Sequence, residues 1–178
     1  MAASLRWVIY IFFKLQADYI SQKSKEKSVP VIAFVEDMAA SGGYWLATAA
    51  PTIYVSQSSL VGSIGVISQG FGFHETIAKL GIERRTQTAG ESKDWSDPFK
   101  AQNEEDKAIR QKLLNALHIN FKNQVKNARG DKLKAPDSTL FNGHVWVGQE
   151  AVELGLVDGI DTMHRQRFVP SIGNIEKA

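Results

Sequence analysis

An α/β fold on a mainly parallel sheet is what this sequence predicts, and three observations carry the prediction. Short apolar or β-branched runs such as "SVPVIAFVE" (28–36) and "TIYVS" (52–56) alternate with helix-like segments along the chain. The first run is apolar at nearly every position rather than at every second one, the pattern of a strand covered on both faces. The chain has 178 residues, 43% hydrophobic and 22% charged, enough for one domain with a substantial core.

Each element follows from local chemistry. "LRWVIYIFF" begins an apolar run that is unbroken only from Trp7 to Phe13. That is far short of the roughly 18–20 residues a bilayer crossing needs. "KLQADYISQ" after it offers no small-x-small cleavage site, so a core helix or an interfacial stretch is expected. The strand at 28–36 leads into the small-residue turn "ASGG" and a helix over "YWLATAA", which Pro51 stops. "TIYVS" is the next strand. "SLVGSIGVISQGFGF" (59–73) is rich in glycine and is expected to form tight turns with close backbone approach.

"HETIAKLG" is expected as a helix with Gly81 at its end, and "IERRTQTAG" as an exposed strand. "ESKDWSDPFKAQ" is polar and aperiodic, hence a loop. From Asn103, a capping residue, a long helix is predicted up to Gly130, with Ile109, Leu113, Leu117, Phe121 and Val125 as its packing stripe. "TLFNGHVWV" is expected as a strand, "GQEAVELG" as a helix closed by Gly155, and "LVDGI" as a last strand.

Lys and Arg number 21 against 19 Asp and Glu, a formal charge of +2, which gives no electrostatic reason to expect nucleic acid or an anionic membrane as partner. Absence of cysteine excludes disulfides, thiolate metal sites and thiol catalysis.

Ser41 is the first candidate for chemistry. A serine after a buried strand and before a helix lies at the carboxyl edge of the sheet, where free N–H groups and partial positive charge converge. The Gly42 N–H is placed to stabilise an oxyanion, and Gly42 and Gly43 leave room for an extended substrate. The competing explanation is a helix N-cap serine in a tight turn, and no "G-x-S-x-G" elbow is present to decide between them.

A nucleophilic serine needs a base. None of the four histidines, His74, His118, His144 and His164, sits in a segment that sequence brings to Ser41. A lysine serves if desolvation lowers its pKa from about 10.4 toward about 7–8. Composition does not choose among fourteen lysines, of which Lys93 lies in the 91–102 loop close to Trp95.

Four blocks together, "MAASGGYWLATAA", "LVGSIGV", "TAGESKDWSDPF" and "FNGHVWVGQEAVELGLVDGI", resemble the signal peptide peptidase A and SohB family of bacterial serine peptidases, over roughly residues 14–162. The resemblance implies a ClpP/crotonase-like spiral α/β fold, its mainly parallel sheet flanked by helices, with its N-terminal part truncated. It implies one peptidase domain over 1–178, with an atypical segment at 1–27, the family core at 28–162 and a tail at 163–178.

It further implies a Ser-Lys dyad, in which Ser41 matches the nucleophile and Lys93 the general base. Ser63 matches a serine whose hydroxyl helps hold that lysine, and Gly42 an oxyanion donor. Gly43, Tyr44, Val61 and Ile64 lie near the motifs expected to contact substrate. No metal and no cofactor is implied. Expected substrates are signal-peptide remnants or other membrane-derived peptides, cut in a homo-oligomer whose sites form across protomer boundaries. The implied setting is the extracytoplasmic side of the bacterial inner membrane, by peripheral association, with the cytoplasm as the alternative.

One departure bears on activity. The family places an "SPGG"-type loop about thirty residues before its nucleophile, as a second oxyanion donor, where this chain reads "RWVIYIFF". A catalytically impaired binding or assembly subunit is therefore the alternative expectation, and an acyl-CoA-handling enzyme of the same superfamily the more distant one.

Overall fold

The computed structural model describes residues 2–163, with side chains from residue 12 onward. The predicted tail, from His164, lies outside the described residues. The first helix, α1, runs Ala2–Lys27. It is followed by β1 (Ile32–Val35), β2 (Met38–Ala40), α2 (Gly42–Ala47), β3 (Thr52–Val55), β4 (Leu60–Gly62) and α3 (His74–Lys79). The long α4 spans Glu104–Arg129, and after a short 3-10 turn come α5 (Asp137–Leu140), β5 (Val145–Val147), α6 (Gly148–Glu153) and β6 (Gly159–Ile160).

The strands form two small sheets, ordered β1-β3-β6 and β2-β4-β5. Three of the four pairings are parallel, and only β4 with β5 is antiparallel. The α/β class with mainly parallel pairing is therefore as the sequence predicts. The chain passes from the first sheet into the second twice, as β1-β2 and as β3-β4, each pass displaced by one strand. This is a spiral.

The single strand expected at 28–36 is shorter than predicted, because a bend at 36–37 turns the chain into the second sheet. Such a corner leaves the Glu36 carbonyl outside both ladders, while Val35 O still accepts the Ser56 N–H at 3.1 Å. Fully buried Ser59 answers this: its Oγ lies 2.6 Å from Val35 O and 2.9 Å from Glu36 O, and it accepts the Ser56 N–H at 2.9 Å.

The core packs between the sheets and helices, with Tyr44, Ile53, Val55, Val61, Ile64, Phe121 and Leu156 fully buried. The Trp45 and Phe121 rings meet at 5.0 Å between centroids, joining α2 to α4. The Tyr44 hydroxyl, pushed up in pKa by its burial, donates to Leu156 O at 2.6 Å. Arg129, 1% exposed at its side chain, donates to Asp158 Oδ2 at 2.7 Å and to Gly155 O at 3.1 Å. Asp158 also takes Lys132 at 2.6 Å and the Ile53 N–H at 2.8 Å. This knot fixes the C-terminal end of α4 against the last strand.

Three local expectations are corrected. "IERRTQTAG" forms no strand: residues 82–88 lie exposed with no neighbouring edge to pair with, held by Arg84 on Asp97 and over the Phe99 ring. "TLFNGHVWV" splits into α5 and β5, because Gly143 at φ 87 turns the chain between them. In α4 the Asn103 cap forms as predicted, its Oδ1 accepting the Asp106 N–H at 2.7 Å. The stripe, however, is buried only at Phe121 and Val125, and Leu113 is 41% exposed.

Candidate active site

Register in the second sheet assembles the site. Ala40 of β2 pairs with Gly62 of β4, and Gly62 with Val145 of β5. The residues one step beyond, Ser41, Ser63 and His144, therefore stand at the same end of three neighbouring strands. Ser41 N–H donates to Gly62 O at 2.8 Å, and Ser63 N–H to His144 O at 2.7 Å. Gly62 is a true requirement here: at φ 105, a Cβ would lie 2.9 Å from His144 O and 3.0 Å from the Trp146 ring.

Ser41 occupies the junction of β2 and α2 at φ 54 and ψ −119, and its side chain makes no capping hydrogen bond. A non-glycine residue at such φ carries strain of about 1–3 kcal/mol, which neighbouring structure must enforce. The simple N-cap explanation is thereby removed, because a capping serine spends its hydroxyl on the helix N–H groups. Ser41 is exposed, so its hydroxyl is available to a ligand. Ser63 also has positive φ, at 50, and is half-buried.

Gly42 and Gly43 are half-buried beside the serine. A cavity of about 600 Å³ opens next to Gly43 along the edges of β1 and β2, lined by apolar groups that include Ile20, Val35, Met38, Ala39 and Leu46. The surface of Gly42 is occupied differently: a Cβ there would overlap the ring of Phe13, so α1 lies directly over this glycine.

Tyr44, Val61 and Ile64 do not line a groove. All three are fully buried, Tyr44 with its hydroxyl committed to Leu156 O, and they serve the core beneath the site. Cavity-lining Ala39, Met38 and Leu46 are the apolar groups that sequence proximity to the motifs did not single out.

Lys93 makes no hydrogen bond to this row. It sits exposed in the 91–96 turn, its N–H donating to Gly90 O at 3.2 Å, and among the described residues its ammonium makes no hydrogen bond or ion pair. From Gly65 to Glu105 no residue is buried. This arm is anchored to the start of α4 by Lys100 on Asp106 at 3.4 Å and by Arg110 over the Trp95 ring. The structure thus unites Ser41, Gly42, Gly43 and Ser63 and leaves Lys93 on an exposed support.

Two histidines that sequence did not connect with Ser41 reach its surroundings: His144 through its carbonyl, and His118 of α4, whose Nε2 lies 3.2 Å from Ile64 O. No periodic signal marks contacts that span 54 residues or more. Among the described residues no cluster of three or more His, Asp or Glu is placed to hold a metal ion, and no helix is long and apolar enough to cross a membrane.

Comparison with known proteins places these residues in context. The model of peptidase family S49 matches residues 23–167. The chain is 44% identical over 144 residues to a Na(+)/H(+) antiporter NhaA of Brucella melitensis, covering 81% of this chain and 19% of that protein. It is 32% identical over 138 residues to a protein of Enterococcus faecium provisionally named signal peptide peptidase SppA, covering 78% of this chain and 40% of that one. The chain therefore spans less than half the length of either relative. Among solved structures, an enoyl-CoA hydratase/isomerase family protein from Hyphomonas neptunium aligns with 85% of this chain and 38% of its own, at a TM-score of 0.40 and 21% identity.

Proposed function

This chain belongs to peptidase family S49, and from that premise we propose that it is a serine-type endopeptidase whose nucleophile is Ser41 and whose general base is Lys93. The observation that supports this most is the state of Ser41: an exposed residue at φ 54 on the strand-to-helix junction, its side chain free of any capping bond. Strain of this kind persists where it aims a nucleophile out of the fold.

In this mechanism the Lys93 amine takes the proton of Ser41 Oγ as that oxygen bonds to the carbonyl carbon of a peptide. The Gly42 N–H supports the oxyanion. The proton then passes to the leaving amine as the C–N bond breaks; Lys93 next takes a proton from water as the water oxygen bonds to the ester carbonyl carbon, and returns it to Ser41 Oγ as the ester C–O bond breaks. Ser63 helps hold the lysine. The apolar cavity beside Gly43 suits an extended, hydrophobic peptide, consistent with signal-peptide remnants or other membrane-derived segments as substrates at the extracytoplasmic face of the inner membrane.

Lys93 reaches a serine across a protomer boundary in a homo-oligomer. Support comes from its place on an arm without buried residues, which carries the exposed apolar side chains of Ile67, Phe71, Leu80 and Ile82. Such surfaces mark association sites when they cluster.

Hydrolysis of an apolar fluorogenic peptide tests the proposal. Ser41→Ala and Lys93→Ala should each lower turnover by at least about 1,000-fold, as removal of a nucleophile or its base does. Mixing the two inactive variants should restore part of it, because hetero-oligomers regain an intact pair. Wild-type rates in both variants would exclude the dyad. A binding or assembly subunit is the second reading, favoured by Phe13 over Gly42, and absence of any Ser41-dependent turnover at high concentration would select it.

A further inference from the structure

The turn that carries Ser63 is gripped from two sides. On one side lies the turn before β5: Ser63 N–H donates to His144 O at 2.7 Å, and Gly65 packs so closely that a Cβ there would lie 3.1 Å from Gly143 Cα. On the other side lies α4, with His118 Nε2 3.2 Å from Ile64 O. Ile64 is fully buried, so its carbonyl has little access to water and needs a protein donor. A ring nitrogen facing a carbonyl oxygen can only donate, which assigns the hydrogen to Nε2 in the neutral ring as in the charged one.

We propose that His118 is a positioning residue for the active site: by donating to Ile64 O it holds the Ser63 turn at its positive φ. The inference rests on the reading that Ser63 supports the Ser41 nucleophile. The path is short. Ile64 follows Ser63, Gly62 precedes it, and the Gly62 carbonyl receives the Ser41 N–H. When the donor at Ile64 is lost, the turn relaxes from φ 50 and displaces both the Ser63 hydroxyl and the backbone that orients Ser41. Misplacing reacting groups by about 1 Å costs on the order of a hundredfold in rate, and a partial relaxation should cost about tenfold.

The test compares His118→Phe, which keeps a ring and removes the donor, with His118→Gln, which keeps a donor. Expected for His118→Phe is a kcat about tenfold lower with KM within twofold of wild type and thermal stability little changed. His118→Gln should restore kcat to within about threefold. Because the donor is present in both ring charge states, the pH dependence of kcat should keep its shape in His118→Gln. His118→Leu replaces the Phe variant if the larger ring does not fold. Wild-type kcat in the donor-less variant, or an equal loss in His118→Gln, overturns the proposal.

Amide exchange reads the same contact without turnover. The Ser63 and Gly65 N–H groups should exchange at least about tenfold faster in His118→Phe than in wild type or His118→Gln, and equal exchange in all three overturns the proposal. A wild-type chain with no Ser41-dependent hydrolysis refutes the peptidase reading instead, and the exchange measurement still decides the role of His118.

Discussion

Asp158 shows how much a single carboxylate contributes to this fold. Burial opposes its ionisation, yet hydrogen bonds from Arg129, Lys132 and the Ile53 N–H outweigh that cost and hold its pKa down at about 2. The folded value lies below the unfolded one of about 3.9, so its stabilisation is complete above about pH 4 and is lost as pH falls toward 2. Asp158→Ala leaves Arg129 buried without its counter-charge, which costs about 3–5 kcal/mol. In a chain of this size the expected fall in Tm is about 6–20 °C, read by thermal unfolding at pH 7. The gap between variant and wild type should narrow below about pH 3, and a constant gap would show that the carboxylate charge is not what matters.

Among the elements, those set by local chemistry were legible and those set by contact were not. The Asn103 cap and the glycines at 81 and 155, both at positive φ, mark ends that sequence alone announces, whereas the turn at Gly143 inside an expected strand was not legible in it. The α4 stripe was legible as periodicity, but which half of it is covered depends on where the sheets end. Residues 82–88 carry strand-like composition and form none, since a strand needs a partner edge and none is adjacent.

Helix α1 was legible only as a core helix or an interfacial stretch, and its seat was not legible. Phe13 rests on Gly42, the residue proposed to support the oxyanion. Removal of that ring should open the site: Phe13→Ala is expected to label at Ser41 several-fold faster with a fluorophosphonate than wild type does. An unchanged labelling rate would show that α1 leaves access to the serine unaffected.

At the scale of the whole molecule the division is between a packed two-sheet body and the arm from Gly65 to Glu105, which buries none of its residues within the chain. The arm exposes Ile67, Phe71, Leu80 and Ile82, and in the proposed homo-oligomer a second copy would cover them. Turnover per subunit should therefore rise with protein concentration, in step with oligomer mass by sedimentation. Full specific activity in a monomer would place Lys93 and Ser41 in the same chain.

By itself the sequence determined the α/β class, the long capped helix, the strand-to-helix placement of Ser41 and the membership that its four motif blocks announce. These depend on short-range chemistry: periodicity, capping, glycine torsions and fixed local spacing. Only the tertiary structure decided that Tyr44, Val61 and Ile64 are core, that Ser41 and Ser63 stand side by side, that His118 reaches Ile64, and that Lys93 is exposed. Those outcomes are contacts between residues far apart in the chain, fixed by sheet register and by which surfaces remain to be covered once the core has closed.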